Sequence, residues 1–461
     1  MRSSSRGLLL SMVAMTALLP AGARAANPAA TPPMGWNSWD AYGLTIDERE
    51  FRANAGVLAG IASLGWRYAV IDEGWYMGNP LGDRLETRDY LLDDFGRTVP
   101  VPKRFPSAAG GAGFKHLADW VHTLGLKFGI HIVRGIPKQA VYHNLPIAGS
   151  SYHAGDAADT SDTCGWDDGN FGVRDSAAGQ AYYDSLLALY AAWGVDFLKV
   201  DCIADHPYKP AEIRQIATAI ARTGRPIVLS LSPGPAQLAN VAQMASQAQM
   251  WRISDDVWDG WNFSHESPEQ TFPNGVAAAF DTLAKWSAYA KPGNWPDADM
   301  LPIGELSPHP GWGDSRQSRL SAEEQRTQLT LWAIARSPLI LGANLTRLDA
   351  ATRALISHRA VLELNQKATA SHEITPLPPA LAGLRIWTAE VAGNTRLWRC
   401  FAFFNPGDKP ATLRATWQEL GLANGSYRSA DLWAESPAQP IDHLELTLPP
   451  HGSAIYRVEA R

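Results

Sequence analysis

Eight short apolar segments, most ending in a polar residue and separated by longer stretches with helical periodicity, constrain this chain more than any other feature. They run from Met34 to Trp39, Tyr68 to Asp72, Lys127 to Val133, Asp196 to Asp201, Pro226 to Ser232, Gln249 to Ser254, Asn294 to Met300 and Ser337 to Leu341. The intervening stretches include Ala178 to Trp193, Pro210 to Arg222 and Ala322 to Arg336. Strands alternating with helices imply parallel βα units, and eight such units close a (β/α)8 TIM barrel. A doubly wound open sheet is the rival, but no Gly-rich phosphate turn follows the first segment. A barrel gathers its strand ends at one face. Asp72, Glu73, His131, Lys199, Asp201, Ser230, Ser232, Arg252, Asp256, Asp297 and Asp299 are therefore predicted to converge on one pocket.

The pattern changes after about Leu364. Proline-rich ITPLPPALAG gives way to alternating runs such as RLWRCFAFF, ATLRATW and HLELTL, punctuated by NPGD, ANGS and PPHG. Alternation of period two with such turns predicts an antiparallel β domain over residues 365–461, behind a barrel over 26–364. Residues 1–25 read differently again. Arg2 and Arg6 precede an apolar run from Gly7 to about Leu19, and Ala23-Arg24-Ala25 supplies small residues for a cleavage site. This is the pattern of a secretory signal peptide, cleaved near Ala25 to give a secreted or periplasmic protein; an uncleaved anchor is the alternative. Cleavage takes the net charge from −6 to −9. A negative chain argues against nucleic acid or an anionic membrane surface as partner. No feature fixes an oligomeric state. The cysteines, Cys164, Cys202 and Cys400, form no zinc-binding spacing, and no cofactor is implied. The 18 tryptophans are many for 461 residues. Sugar rings stack on indole, yet filling a large core needs tryptophan as well.

Two segments carry candidate chemistry. In DFLKVDC, Lys199 and Asp201 project to the same side of a strand. A lysine beside a carboxylate keeps it ionised, as a nucleophile at an anomeric carbon must be; a buried ion pair in a barrel layer gives the same pattern. In MWRISDDVWDGW, Arg252, Ser254 and Asp256 share a face, with Asp255 and Asp259 as competitors. Val257 and Trp258 could desolvate Asp256 and so favour its protonated form, which a proton donor to a leaving oxygen requires. Two such carboxyls are the parts of a glycosidase.

PPMGWNSWDAYG, IDEGW, LKVDC, WRISDD and WPDADML, in that order, resemble glycoside hydrolase family 27, the family of α-galactosidases and α-N-acetylgalactosaminidases. The likeness extends through LWAIARSPLILGANL and the C-terminal β domain. It implies a retaining mechanism on a carbohydrate substrate, with Asp201 as nucleophile and Asp256 as acid/base. Trp39 matches a wall of the sugar pocket. Asp72 and Glu73 match the acidic pair that binds the O4 and O6 hydroxyls. Lys199 and Arg252 match the basic residues beside the catalytic pair, and Asp299 and Met300 match pocket residues of the seventh strand. The family also implies a disulfide from the loop after the third strand, although its partner is typically two residues past the nucleophile and Cys202 is one past.

Four departures bear on specificity. Glu73 stands where an Asp is usual and His131 where Tyr is common. SLSPGPA (Ser230 to Ala236) lacks the Cys-Glu-Trp loop that reads the sugar's 2-position, and RGIPKQAV (Arg134 to Val141) opens a long loop reaching Cys164. The leading expectation is α-galactosidase activity. The same mechanism on a β-L-arabinopyranoside or an isomaltose-type α-glucan is the alternative, and a non-catalytic carbohydrate-binding protein is the alternative from another class.

Overall fold

The computed structural model describes residues 28–81, 89–267, 270–308, 312–392 and 397–460. The signal peptide expected over 1–25 lies outside them. Eight parallel strands form one sheet: β1 (Met34–Asn37), β2 (Tyr68–Ile71), β3 (Lys127–Val133), β4 (Phe197–Asp201), β5 (Val228–Leu231), β6 (Met250–Arg252), β7 (Trp295–Asp297) and β8 (Leu339–Leu341). From β1 to β7 each pairs with its neighbour in sequence, and β8 returns to pair with β1. The ring closes just past β7, where Leu301 N–H donates to Ile340 O (2.8 Å) and Gly342 N–H donates to Leu301 O (3.1 Å). The fold is thus a TIM barrel. Most of the strands are shorter than the apolar segments suggested, by one to three residues at one end or both.

Strand alternation sorts the interior into tiers. Tyr68, Val70, Phe197, Val228, Met250 and Trp295 form a separate buried apolar cluster that floors the barrel. Two residues further along the same strands stand Asp72, Lys199, Ser230, Arg252 and Asp297. Two further again come Asp201, Ser232, Ser254 and Asp299. The apolar floor excludes water from below, and the polar tiers face the open end.

The outer helices have ordinary local causes. Helix Ala177–Trp193 starts at Ser176, whose hydroxyl accepts from Gly179 N–H, and stops at Gly194 in the left-handed region (φ 92°). Helix Ala322–Ala335 opens in a capping box between Ser321 and Glu324. The segment after β3 is more than a loop. Strands Ile136–Pro137, Ala158–Thr163 and Asn170–Val173 form a small antiparallel sheet, joined by short helices Lys138–Tyr142 and Ala154–Ala157. A Cys164–Cys202 disulfide, Cα atoms 6.0 Å apart, ties this excursion to the end of β4. Buried Arg134 reinforces the join through Asp162 and Glu212 (2.9 Å each) and donates to Cys202 O (2.7 Å).

Helix Arg359–Lys367 leads directly into β9 (Ala368–Glu373). Strands β10 (Arg385–Ala392), β11 (Leu397–Phe404), β12 (Ala411–Thr416), β13 (Tyr427–Asp431), β14 (Gln439–Ile441), β15 (His443–Leu448) and β16 (Ser453–Ala460) follow. They build a six-stranded antiparallel sheet, in order β9-β10-β11-β16-β13-β14, beside the pair β12-β15. Phe401, Phe403, Leu413, Trp417 and Leu444 are the core between them. This domain packs on helix Ala322–Ala335, where Trp433 Nε1 donates to Thr330 Oγ1 (3.0 Å), and on the segment after β6, where His451 stacks on Trp261 at 4.2 Å. Among the described residues no helix is long and apolar enough to cross a membrane.

Candidate active site

The open end of the barrel holds a cavity of about 270 Å³. That is below the roughly 300–1,000 Å³ of drug-sized pockets and suits about one sugar ring. Trp39, Asp72, Glu73, Lys199, Asp201, Arg252, Asp256, Asp299 and Met300 all line it. With Ser232, which also lines it, residues from six of the eight strand ends meet in one place. Local bonds fix the first wall. Asn37 Nδ2 donates to Asp72 Oδ2 (2.6 Å), while its Oδ1 accepts from Trp39 N–H (2.9 Å), setting the indole beside the carboxylate.

Two ion clusters organise the rest. Lys199 Nζ donates to Asp72 Oδ2 at 2.9 Å. Arg252 spans Asp299 (2.8 Å) and Asp256 (3.1 Å). Burial alone would raise the Asp72 carboxyl, but the Lys199 ammonium and then His131 outweigh it and hold Asp72 well below the ordinary range. Asp201 follows the same balance. Burial opposes its charge; His131 at 3.5 Å, then Lys199 and the Cys202 N–H (2.7 Å), bring it below the ordinary value. Asp201 is thus kept a carboxylate. Asp299 is pushed upward by burial first and by Asp256 and Asp297 next. It adopts φ 84°, rare for a non-glycine residue, and its Oδ2 accepts from Val257 N–H (2.7 Å).

Glu73 is raised well above the ordinary carboxylate range, by burial first and then by Asp167, with which it shares a side-chain hydrogen bond. Asp167 is buried, accepts from Tyr90 Oη (3.1 Å) and Gly169 N–H (2.9 Å), and comes from the excursion after β3. Neutral Glu73 therefore points one way, held by a carboxylate that already has donors.

Several expectations need correction. Lys199 is not the direct partner of Asp201; its ion pair is with Asp72, across the strand ends, and His131 is the nearer cation-capable neighbour of Asp201. His131 does not reach the cavity wall but stands buried behind Asp72 and Asp201. Val257 and Trp258 are buried but leave the Asp256 side chain 44% exposed, so the enclosure expected of them is absent. Ser230 and Asp297 lie one tier down, in a small void beneath the site. Asp259 is a structural anchor, fully buried against Arg316 (2.6 and 2.8 Å). Nine of the 18 tryptophans are fully buried, and only Trp39, Trp166 and Trp258 line the cavity.

The sequence reading missed Asp40, Leu44 and Trp166 as lining residues. Asp40 is buried, its Oδ2 has no partner, and burial raises its carboxyl above the ordinary range. Gly342 makes the room: a Cβ there would sit 1.8 Å from Asp40 Oδ2. Asp40 directly follows Trp39 in NSWDAYG, and that adjacency was the available signal. Trp166 carried none, since only the folded excursion brings it to the barrel mouth.

Comparison with known proteins identifies the family to which the fold is similar. The family described as Alpha galactosidase A matches residues 167–367, and its C-terminal beta sandwich domain matches 382–458. Alpha-galactosidase A of Cellvibrio japonicus is 28% identical over 448 residues, 94% of this chain and 93% of that protein. The α-galactosidase of Oryza sativa is 27% identical, over 92% of this chain and 84% of its own. A family 27 β-L-arabinopyranosidase from Geobacillus stearothermophilus superposes with a TM-score of 0.86 at 40% identity, covering 94% of this chain and 97% of that one. A variant of that enzyme in complex with arabinose superposes at 0.87 and 39% identity, covering 96% of this chain and 100% of that one.

Proposed function

Because this chain belongs to glycoside hydrolase family 27, we propose that its α-galactosidase-like fold runs a retaining double displacement in which Asp201 attacks the anomeric carbon and Asp256 is the acid/base. Asp256 gives its proton to the glycosidic oxygen as the C–O bond breaks and the Asp201–carbon bond forms. It then takes a proton from water, whose oxygen displaces Asp201 and returns the starting configuration. One observation carries this reading: both carboxyls face one cavity in unlike surroundings. Asp201 is 17% exposed and held as a carboxylate, whereas Asp256 is 44% exposed with Arg252 as its ion-pair partner. Asp201→Ala is expected to stop turnover with the fold intact, and azide to restore part of it by taking the nucleophile's place. Near-normal activity in Asp201→Ala removes the assignment.

For the sugar, Glu73 supports β-L-arabinopyranosides as accepted comparably to or better than α-D-galactosides. The two sugars share ring hydroxyls and differ by the C6 hydroxymethyl group. A glutamate in the wall reaches one carbon further than aspartate into the space C6 needs, and its bond to Asp167 keeps it from swinging freely. The 40% identity to the Geobacillus β-L-arabinopyranosidase supports the same preference. Export follows from the basic, apolar and small-residue pattern of residues 1–25, which leaves Ala26 as the mature N-terminus.

A further inference from the structure

One ionisable group in the cavity wall is used neither by the double displacement nor by the ion clusters. Asp40 lines the cavity, directly after Trp39, and is 2% exposed. Its Oδ2 has no hydrogen-bond partner among the described residues. The short helix Trp39–Tyr42 has no side-chain cap, so Asp40 does not serve it as one. The cations that line the cavity are committed elsewhere, Lys199 to Asp72 and Arg252 to Asp299 and Asp256. A buried carboxyl oxygen without a partner is costly, and native folds hold few of them.

The fold nevertheless makes room for this one. Gly342 stands just past β8, and the three atoms that a Cβ there would meet all belong to Asp40: Oδ2 at 1.8 Å, Cγ at 2.5 Å and Cβ at 2.9 Å. Gly342 lies outside the left-handed region, so its backbone does not require glycine. What the missing side chain does is seat the Asp40 carboxyl in the wall. Burial, and then the Asp299 and Asp256 charges, raise that carboxyl well above the ordinary range, so it keeps its proton. A protonated carboxyl both donates and accepts a hydrogen bond, as a sugar hydroxyl does. Position narrows the choice of hydroxyl. In the ring of strands β1 lies across from β5, so Asp40 comes from the wall that faces β4 and β6, the strands leading to Asp201 and Asp256. The carbon under attack lies at that pair, and Asp40 meets the ring at another of its carbons.

We propose that Asp40 is a sugar-binding residue, exchanging hydrogen bonds with one ring hydroxyl away from the anomeric carbon, and that Gly342 is the residue that seats it. The proposal rests on the cavity being the sugar site of the Asp201–Asp256 pair. The test measures kcat and KM for the wild type, Asp40→Ala, Asp40→Asn and Gly342→Ala. The substrates are the better of the two nitrophenyl glycosides and its 2-, 3- and 4-deoxy analogues. Asp40→Ala is expected to lose about 5- to 150-fold in kcat/KM on the parent glycoside. The loss falls on KM, because a contact remote from the breaking bond is the same in ground and transition states. On the one analogue that lacks the partner hydroxyl, Asp40→Ala should match the wild type. Asp40→Asn keeps a donor and an acceptor and should restore most of the parent rate. Gly342→Ala should repeat the Asp40→Ala pattern and add nothing when combined with it. Melting temperature should hold or rise in Asp40→Ala, since an unpartnered buried group is removed. Equal losses on the parent and all three analogues overturn the contact, as does a loss carried by kcat with a shifted pH profile. A lower melting temperature with kcat/KM unchanged assigns Asp40 to the fold and overturns it too. Failure of the underlying assignment reads out separately, as turnover that survives Asp201→Ala.

Discussion

Shortening Glu73 to aspartate removes one methylene from the wall of a 270 Å³ cavity, at a residue that is almost fully buried. The carboxyl retreats by about 1.5 Å, one C–C bond, on the side where C6 of a galactoside must lie. Relieving steric crowding in a packed site is worth about 1–3 kcal/mol. At 1.36 kcal/mol per factor of ten, that is about 5- to 150-fold in a rate constant. We therefore expect Glu73→Asp to raise the ratio of kcat/KM for an α-D-galactoside to that for a β-L-arabinopyranoside by that factor. Glu73→Gln, which keeps the length and the hydrogen bond to Asp167, should leave the ratio near the wild-type value. The aspartate would also lose the bond to Asp167, costing about 1–3 kcal/mol of stability, so melting temperature accompanies the kinetics. The assay is initial rates on the two nitrophenyl glycosides at matched pH. A ratio unchanged in Glu73→Asp, with the protein folded, refutes the argument that side-chain length selects the sugar.

Two further outcomes follow. Glu73 keeps its proton when folded and loses it near pH ~4.5 when unfolded, so its neutral form stabilises fully below that value and the contribution is lost as pH rises toward the folded pKa. Asp167→Asn removes one cause of the rise and should flatten the fall of melting temperature as pH rises above the ordinary glutamate value; an unchanged slope would show that Asp167 does not help to hold the Glu73 proton. Protein recovered outside the cell membrane is expected to begin at Ala26 by N-terminal sequencing, and retention of residues 1–25 would contradict export by cleavage.

The barrel was legible because its cause is local. Short apolar runs that mostly end in a polar residue mark the strands, alternation puts Lys199 and Asp201 on one face, and eight runs with helical spacers leave few topologies. The polar residues at strand ends converge for the same reason. Partnership within the pocket was less legible, because it is set by separations in space that sequence spacing does not encode. Lys199 and Asp201 are two residues apart, yet the lysine crosses to Asp72, 127 residues away. Asp256 lies beyond the end of β6, where alternation no longer governs direction, and its neighbours Val257 and Trp258 turn inward without covering it. Asp167 and Trp166 belong to an excursion that reads as an unusually long loop, and only its small sheet and the Cys164–Cys202 bridge place them at the mouth. The bridge forms even though Cys202 is one residue nearer Asp201 than the family pattern has it. Cys202 takes φ 62° there, while its N–H reaches back to Asp201.

The central claim is that Asp201 and Asp256 act by double displacement, and the configuration of the first-formed sugar tests it most directly. Proton NMR recorded within the first minutes of hydrolysis, before mutarotation, reads the anomeric proton of the released monosaccharide. Two successive displacements at one carbon predict that the α-galactoside first yields α-galactose, and the β-L-arabinopyranoside first yields the β anomer. A first product of inverted configuration would mean that water attacks directly and that Asp201 is not the nucleophile.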